Sequence, residues 1–211
     1  PDLILASGDM LSGDREEGDA IAVALLSRLS DLAPVCFVNG NHEMCVERHQ
    51  PERYQKFMDD LKNGGVQVLH NETAWFWIDG EKVAVTGYEL PWEYYRRFSR
   101  RHPSVVGMER SIGKRKQDAY QILLTHNPVF FEEYTAWGAD FTFAGHLHGG
   151  FIRLPYFGGV ISPQFQLFPK YDHGLYQMDT SSMVVGAGMG NHSGLFRINN
   201  PTEVVTVRIK R

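Results

Sequence analysis

Gly145-His146-Leu147-His148-Gly149-Gly150 sets two imidazoles two residues apart, directly after the apolar run Ala139-Asp140-Phe141-Thr142-Phe143-Ala144. The run reads as a buried strand, and the paired glycines let the backbone turn sharply beneath the rings. In extended backbone, residues two apart point the same way, so His146 and His148 can approach one small object together. A metal ion is the object that two neutral imidazoles suit best. A lone His-x-His is more often an ordinary hydrogen-bonded pair, but this one has company. Ser7-Gly8-Asp9, Asn39-Gly40-Asn41-His42-Glu43 and Thr125-His126-Asn127-Pro128 also end apolar runs with residue types that bind metals. Four such strand ends are hard to explain as structure alone.

The elements that must position these residues alternate between strands and helices, which points to an α/β architecture. Pro1 to Ala6 is a first strand. A helix over about Asp14 to Asp31 follows, with Ile21, Leu25, Leu29 and Leu32 on one face. Pro34 to Val38 is a second strand, and a helical segment from about Pro51 to Lys62 stops at Asn63-Gly64-Gly65. Short strands are expected at Val66–Leu69, Ala74–Ile78 and Lys82–Thr86, the last two joined by an Asp79-Gly80 hairpin turn. Gln121 to Leu124 delivers His126, and Pro128 opens a short helix through about Tyr134. Strands near Leu175–Gln177, Met183–Val185 and Val204–Ile209 complete the chain. The order predicts a two-sheet sandwich with helices outside.

At 211 residues, with 43% hydrophobic and 12% aromatic content, the chain suits one domain with a substantial core. A net charge of −4 gives no support for broad electrostatic binding to nucleic acid. Cys36 and Cys45 are the only cysteines, so there is neither a disulfide framework nor a zinc ribbon. No stretch is long and apolar enough to cross a bilayer. The chain opens in mid-strand without methionine or a signal peptide, so an upstream piece is expected, and the single domain over 1–211 is expected to be N-terminally incomplete. Localisation then depends on that piece.

Gly8-Asp9, Gly40-Asn41-His42-Glu43, the lone His126 and Gly145-His146-Leu147-His148 together resemble, in order and spacing, the signature of the calcineurin-like metallophosphoesterases. The tail, with Gly149-Gly150, Arg153-Leu154-Pro155, Lys170-Tyr171, Gly174-Leu175-Tyr176 and Phe196-Arg197-Ile198-Asn199-Asn200-Pro201, is similar to a bacterial, often membrane-tethered branch of that superfamily. That branch includes phosphodiesterases and relatives of UDP-diacylglucosamine pyrophosphatase. The resemblance implies a four-layer α/β/β/α fold and hydrolysis of a phosphodiester or pyrophosphate, the substrate being a small-molecule or lipid-linked phosphoester.

The residue types fit that chemistry. Water between two divalent ions about 3.5–4 Å apart ionises far more readily than bulk water. One carboxylate, Asp9, can bridge such a pair while imidazoles and an amide oxygen complete the shells without excess negative charge. The resemblance further implies that Asn41, His126 and His146 bind one ion and His148 the other. It makes His42 the donor of a hydrogen bond to the phosphate and of a proton to the leaving oxygen. Manganese, iron, zinc or nickel would suit these ligands.

The sequence departs from the family in one respect. The pattern normally opens with an Asp-x-His at the end of an earlier strand, and no such motif occurs here. The second site is therefore expected to be under-ligated, activity of these residues alone to be low, and one sheet to show a gap or an unpaired edge. Glu43 is expected to hold its turn by hydrogen bonding, and Cys45 to pack. His192 reads as a loop residue, and His70, His102 and His173 as surface or structural. The basic and aromatic stretch from Trp92 to Arg101 reads as an amphipathic surface helix. It could instead line the cleft mouth or rest on an anionic membrane, and Tyr156 to Phe168 could form another wall. Two other functions remain open: a catalytically silent scaffold of the same fold, and a nuclease or cyclic-nucleotide phosphodiesterase.

Overall fold

Buried strands at Val35–Phe37 and Tyr120–Thr125 stand in the interior of two stacked sheets. The computed structural model describes residues 1–13, 16–96, 101–150, 153–154, 158–159, 168–190 and 197–210. The first sheet is parallel: β1 (Ile4–Ala6), β2 (Val35–Phe37) and β3 (Gln67–Val68), in that order, with β1 at one edge. The second has six strands. An antiparallel hairpin, β4 (Thr73–Ile78) and β5 (Glu81–Tyr88), turns at Asp79-Gly80, both with positive φ. Beyond it lie β6 (Tyr120–Thr125) and β7 (Phe141–Ala144), parallel to β5. A late antiparallel pair, β10 (Gly174–Met178) and β11 (Ser181–Val185), closes the far side, with β11 parallel to β7. Two-residue strands β8 (Arg153–Leu154) and β9 (Gly158–Gly159) pair on their own.

The sheets face each other across Cys36, Val38, Leu69, Val83, Val85, Ile122 and Leu124. Helices cover the outer faces. On the first sheet, α1 (Glu17–Ser30) and α3 (Pro51–Asn63) pack Leu26, Phe57, Met58 and Leu61 over Val35 and Phe37. On the second, α4 (Val105–Ile112) and α5 (Phe131–Trp137) pack Met108, Ile112, Tyr134 and Trp137 over Tyr88 and Leu123. The layers are thus helix, sheet, sheet, helix. With both faces of β2 buried, its run is continuously apolar, as a parallel strand between two layers requires.

Several expectations need correction. α1 begins at Glu17 rather than Asp14, residues 14–15 lying outside the described set, and it buries Ala22 and Leu26, with Val23 and Leu29 packed beside them. Ile21 and Leu32 are 71% and 69% exposed. Ala20 to Leu26 is apolar without a break, so period alone could not choose the face. A helix α2 (Asn41–His49) stands where a turn was expected, and α4 was not anticipated. Val204 to Ile209 forms no strand. Its alternation is strand-like, but a strand needs a hydrogen-bonded neighbour. Val205 to Ile209 instead line, with Leu175, Gln177 and Val184, a cavity of about 620 Å³.

Candidate metal centre

The four chemistry-bearing segments all leave the C-terminal ends of parallel strands, two in each sheet, so they meet at one end of the sandwich seam. Glycines let them come close. A Cβ on Gly8 would lie 2.4 Å from the Gly40 amide nitrogen, and one on Gly40 would lie 2.2 Å from Asp9 Oδ1. The Gly8-Asp9 and Gly40-Asn41 turns therefore pass each other in backbone contact, which no larger residue would allow.

Glu43 ties these turns together. It is fully buried and accepts four backbone N–H groups: Asp9 (2.8 Å) and Gly40 (2.7 Å) on Oε2, Met10 (2.6 Å) and Leu11 (2.8 Å) on Oε1. Burial and the Asp9 charge push its pKa up, opposed by these donors. With each oxygen already accepting two N–H groups, the carboxylate acts as a clamp and has no free edge for proton transfer.

Asp9, His126 and His146 offer one ligand atom each within 4.8 Å of one another. His126 Nε2 lies 3.0 Å from Asp9 Oδ2 and 3.1 Å from His146 Nδ1. His126 Nδ1 sits 2.5 Å from the Ser7 carbonyl oxygen, which accepts its proton and leaves Nε2 turned toward the cluster. This bond crosses from one sheet to the other, and the Gly145 amide donates to His126 O (3.0 Å) to fix the fourth segment. The second Asp9 oxygen accepts from the His42 amide (2.9 Å). Burial raises the Asp9 pKa, but His126, with His42 and His146, outweighs it and holds the carboxyl well below the usual carboxylate range. Burial and the His126 charge push His146 well below its ordinary value, keeping it neutral as a ligand must be. Burial opposes a raised His126 pKa, but Asp9 prevails.

Asn41, the first residue of α2, has its Oδ1 buried without a hydrogen-bond partner, and so has His146 Nε2. Buried polar atoms left without a partner cost about 1–3 kcal/mol each unless something satisfies them. A carboxylate and two imidazoles around one point form a donor set that fits a divalent cation, and the unpartnered Asn41 amide oxygen, carried by the turn that meets Asp9, is of a type that could add to it. His42 is near enough for its charge to act on both Asp9 and His146.

His148 is not in that cluster. His146 and His148 have φ of 64° and 50°, so the backbone is a left-handed turn and the extended-strand rule for residues two apart does not apply. His148 lies beside Gly188 and Arg197 instead.

Tyr95 comes from the Trp92 to Arg101 stretch, for which a place at the cleft is one of two readings, but the sequence does not single it out there. It ends a short 3-10 helix (Trp92–Tyr95), is buried, and sets its ring edge-on to His146 with centroids 5.3 Å apart. The expected amphipathic helix is therefore this 3-10 turn; residues 97–100, with Arg97 and Arg100, lie outside the described residues, as do His192 and residues 155–157 and 160–167 of the aromatic loop. His70, His102 and His173 each meet a glutamate: Glu89 (3.0 Å), Glu133 (2.6 Å) and Glu203 (2.8 Å). Cys45 Sγ rests 3.6 Å from His49 Nδ1.

Comparison with known proteins agrees with this geometry. The calcineurin-like phosphoesterase family matches residues 1–150, and the chain belongs to that family. It is 24% identical over 192 residues to an uncharacterized metallophosphoesterase, YkuE, of Bacillus subtilis, covering 90% of this chain and 61% of that protein. It is 25% identical over 209 residues to the phosphodiesterase YaeI of Escherichia coli, covering 99% of this chain and 70% of the relative. The crystal structure of phosphopantetheinyl hydrolase from Mycobacterium tuberculosis shares the fold, with a TM-score of 0.50 at 13% identity over 87% of this chain and 77% of that one. The chain thus spans under two thirds of YkuE and somewhat more of YaeI. Metallophosphoesterase membership implies divalent metal ions.

Proposed function

We propose that this chain carries the catalytic centre of a metal-dependent phosphoester hydrolase acting on a phosphodiester or pyrophosphate. The observation that carries the reading is the convergence of Asp9 Oδ2, His126 Nε2 and His146 Nδ1 at the seam of the sheets. Asp9, Asn41, His126 and His146 would hold one ion. Asp9 and His148 would contribute to a second. Such ions, when bound, supply Lewis-acid polarisation of a phosphoryl oxygen and a water acidic enough to attack at neutral pH.

The chain's own residues do the rest. Glu43 holds the two turns that present Asp9 and Asn41, and Ser7 O fixes the His126 tautomer. His42, whose amide is anchored on Asp9, would place its imidazole to hydrogen-bond a phosphoryl oxygen and to protonate the departing oxygen. Tyr95 walls off the rear of His146, and burial keeps its hydroxyl protonated. The diester preference is supported by the name of the Escherichia coli relative, a phosphodiesterase.

The test is an activity panel of bis-p-nitrophenyl phosphate, p-nitrophenyl phosphate, cyclic nucleotides, DNA and UDP-linked lipids, run with added manganese. Diester or pyrophosphate turnover that His42→Ala lowers by about 10²–10⁴-fold is the expected result. Full metal loading with no hydrolysis of any member would favour a silent scaffold.

A further inference from the structure

The turn that carries His148 is held from outside. His146, His148, Gly149 and Gly150 all have positive φ, from 50° to 83°. A left-handed non-glycine residue costs roughly 1–2 kcal/mol and persists only where its surroundings over-determine it. Within the turn, the Leu147 amide donates to Gly145 O and the Gly150 amide to Leu147 O, each at 2.7 Å. The His148 and Gly150 carbonyls are both satisfied by one side chain. Asn200 Nδ2 donates to His148 O and, at 2.8 Å, to Gly150 O. Asn200 is 5% exposed, and its Oδ1 would lie 2.8 Å from a Cβ on Gly149, so it fills the concave side of the turn.

The segment bearing Asn200 is itself fixed. Ile198 O accepts the Arg153 amide at 3.1 Å. Arg197 Nη2 donates to Ala187 O (2.8 Å) and to Gly190 O and lies 3.5 Å from His148 Nδ1. These residues fall beyond the family match, which ends at Gly150.

We propose that Asn200 is a positioning residue for His148. Its two N–H bonds hold the left-handed turn that aims the imidazole, and the Arg197 contacts keep the neighbouring strand exit against the same ring. The inference rests on the reading of His148 as a ligand of a second ion. Asn200 touches neither substrate nor ion. It acts through the backbone, as outer partners of metal ligands do when they set ligand orientation.

Asn200→Asp tests this with little change of shape, because it swaps both donors for lone pairs facing two carbonyls. Asn200→Ser, with one hydroxyl donor, is the milder companion. Each is titrated with manganese by calorimetry, and amide exchange over residues 146–150 is measured without metal. Wild type should bind one ion tightly and a second weakly, as a site with only Asp9 and His148 requires, and Asn200→Asp should weaken that poorer site about 10–100-fold while leaving the better site unchanged. Asn200→Ser should fall between them, and exchange of the turn amides should quicken in both. Val68→Ala, remote in β3, should lower stability without altering either affinity, which separates positioning from general weakening. Two wild-type ions with Asn200→Asp affinities unchanged would overturn the inference alone. A single wild-type ion would overturn the two-ion reading and the inference with it.

Discussion

Replacing Glu43 by Gln leaves shape intact and removes half of the clamp. Four backbone N–H groups point at the carboxylate, two at each oxygen. A glutamine can satisfy two with its carbonyl and turns an NH₂ toward the others, whichever way it is flipped. Each buried donor left unpaired costs about 1–3 kcal/mol, so the two together cost about 2–6 kcal/mol. Removing a buried charge beside Asp9 offsets part of this, and a net loss of about 2–4 kcal/mol is expected. For a chain of this size each kcal/mol lowers Tm by about 2–4 °C, which gives a fall of roughly 10 °C. Urea unfolding followed by circular dichroism measures the loss, and manganese titration measures the expected parallel fall in affinity as Asp9 and Asn41 drift. A loss below about 1 kcal/mol, or unchanged stability with an altered pH–rate profile, would refute the clamp and make Glu43 a proton carrier instead.

Gly40→Ala has no φ penalty at −96°, but its Cβ would lie 2.2 Å from Asp9 Oδ1 and 2.7 Å from the Asp9 amide nitrogen, so the two turns are forced apart; Tm falls and metal affinity of the folded fraction drops at least about tenfold, read by calorimetry. The Glu89 hydrogen bond raises the pKa of His70, so this pair stabilises the fold fully below pH 6.5 and less as pH rises through the raised value. The Tm difference between wild type and His70→Gln should therefore be largest in mild acid and shrink above neutrality; a constant difference would contradict it. Leu26→Ala, deep between α1 and the first sheet, should cost about 2–5 kcal/mol in urea unfolding while leaving kcat of the folded fraction unchanged.

The sandwich was legible because β2, β5 and β6 carry long apolar runs between turn signals, and because ligand residue types fall where those runs end. What stayed hidden depends on contacts far apart in sequence. Asn41-His42-Glu43 reads as a turn until Glu43 reaches back to the Gly40 amide and starts α2. The face of α1 is set by which sheet it meets, since Ile21 and Leu26 are equally apolar. Strand propensity at Val204–Ile209 cannot supply a neighbouring strand. Tyr95 and Asn200 lie in stretches the sequence marks only as a whole, an aromatic and basic run and a tail motif; only the fold brings one against His146 and the other against the His148 carbonyl.

The most direct test of the central claim is a crystal grown with zinc and measured above its absorption edge. The account predicts an anomalous peak about 2.0–2.2 Å from an Asp9 carboxylate oxygen, His126 Nε2 and His146 Nδ1, with Asn41 Oδ1 turned toward it. A map with no peak between those atoms, or with metal held only elsewhere on the chain, would contradict it.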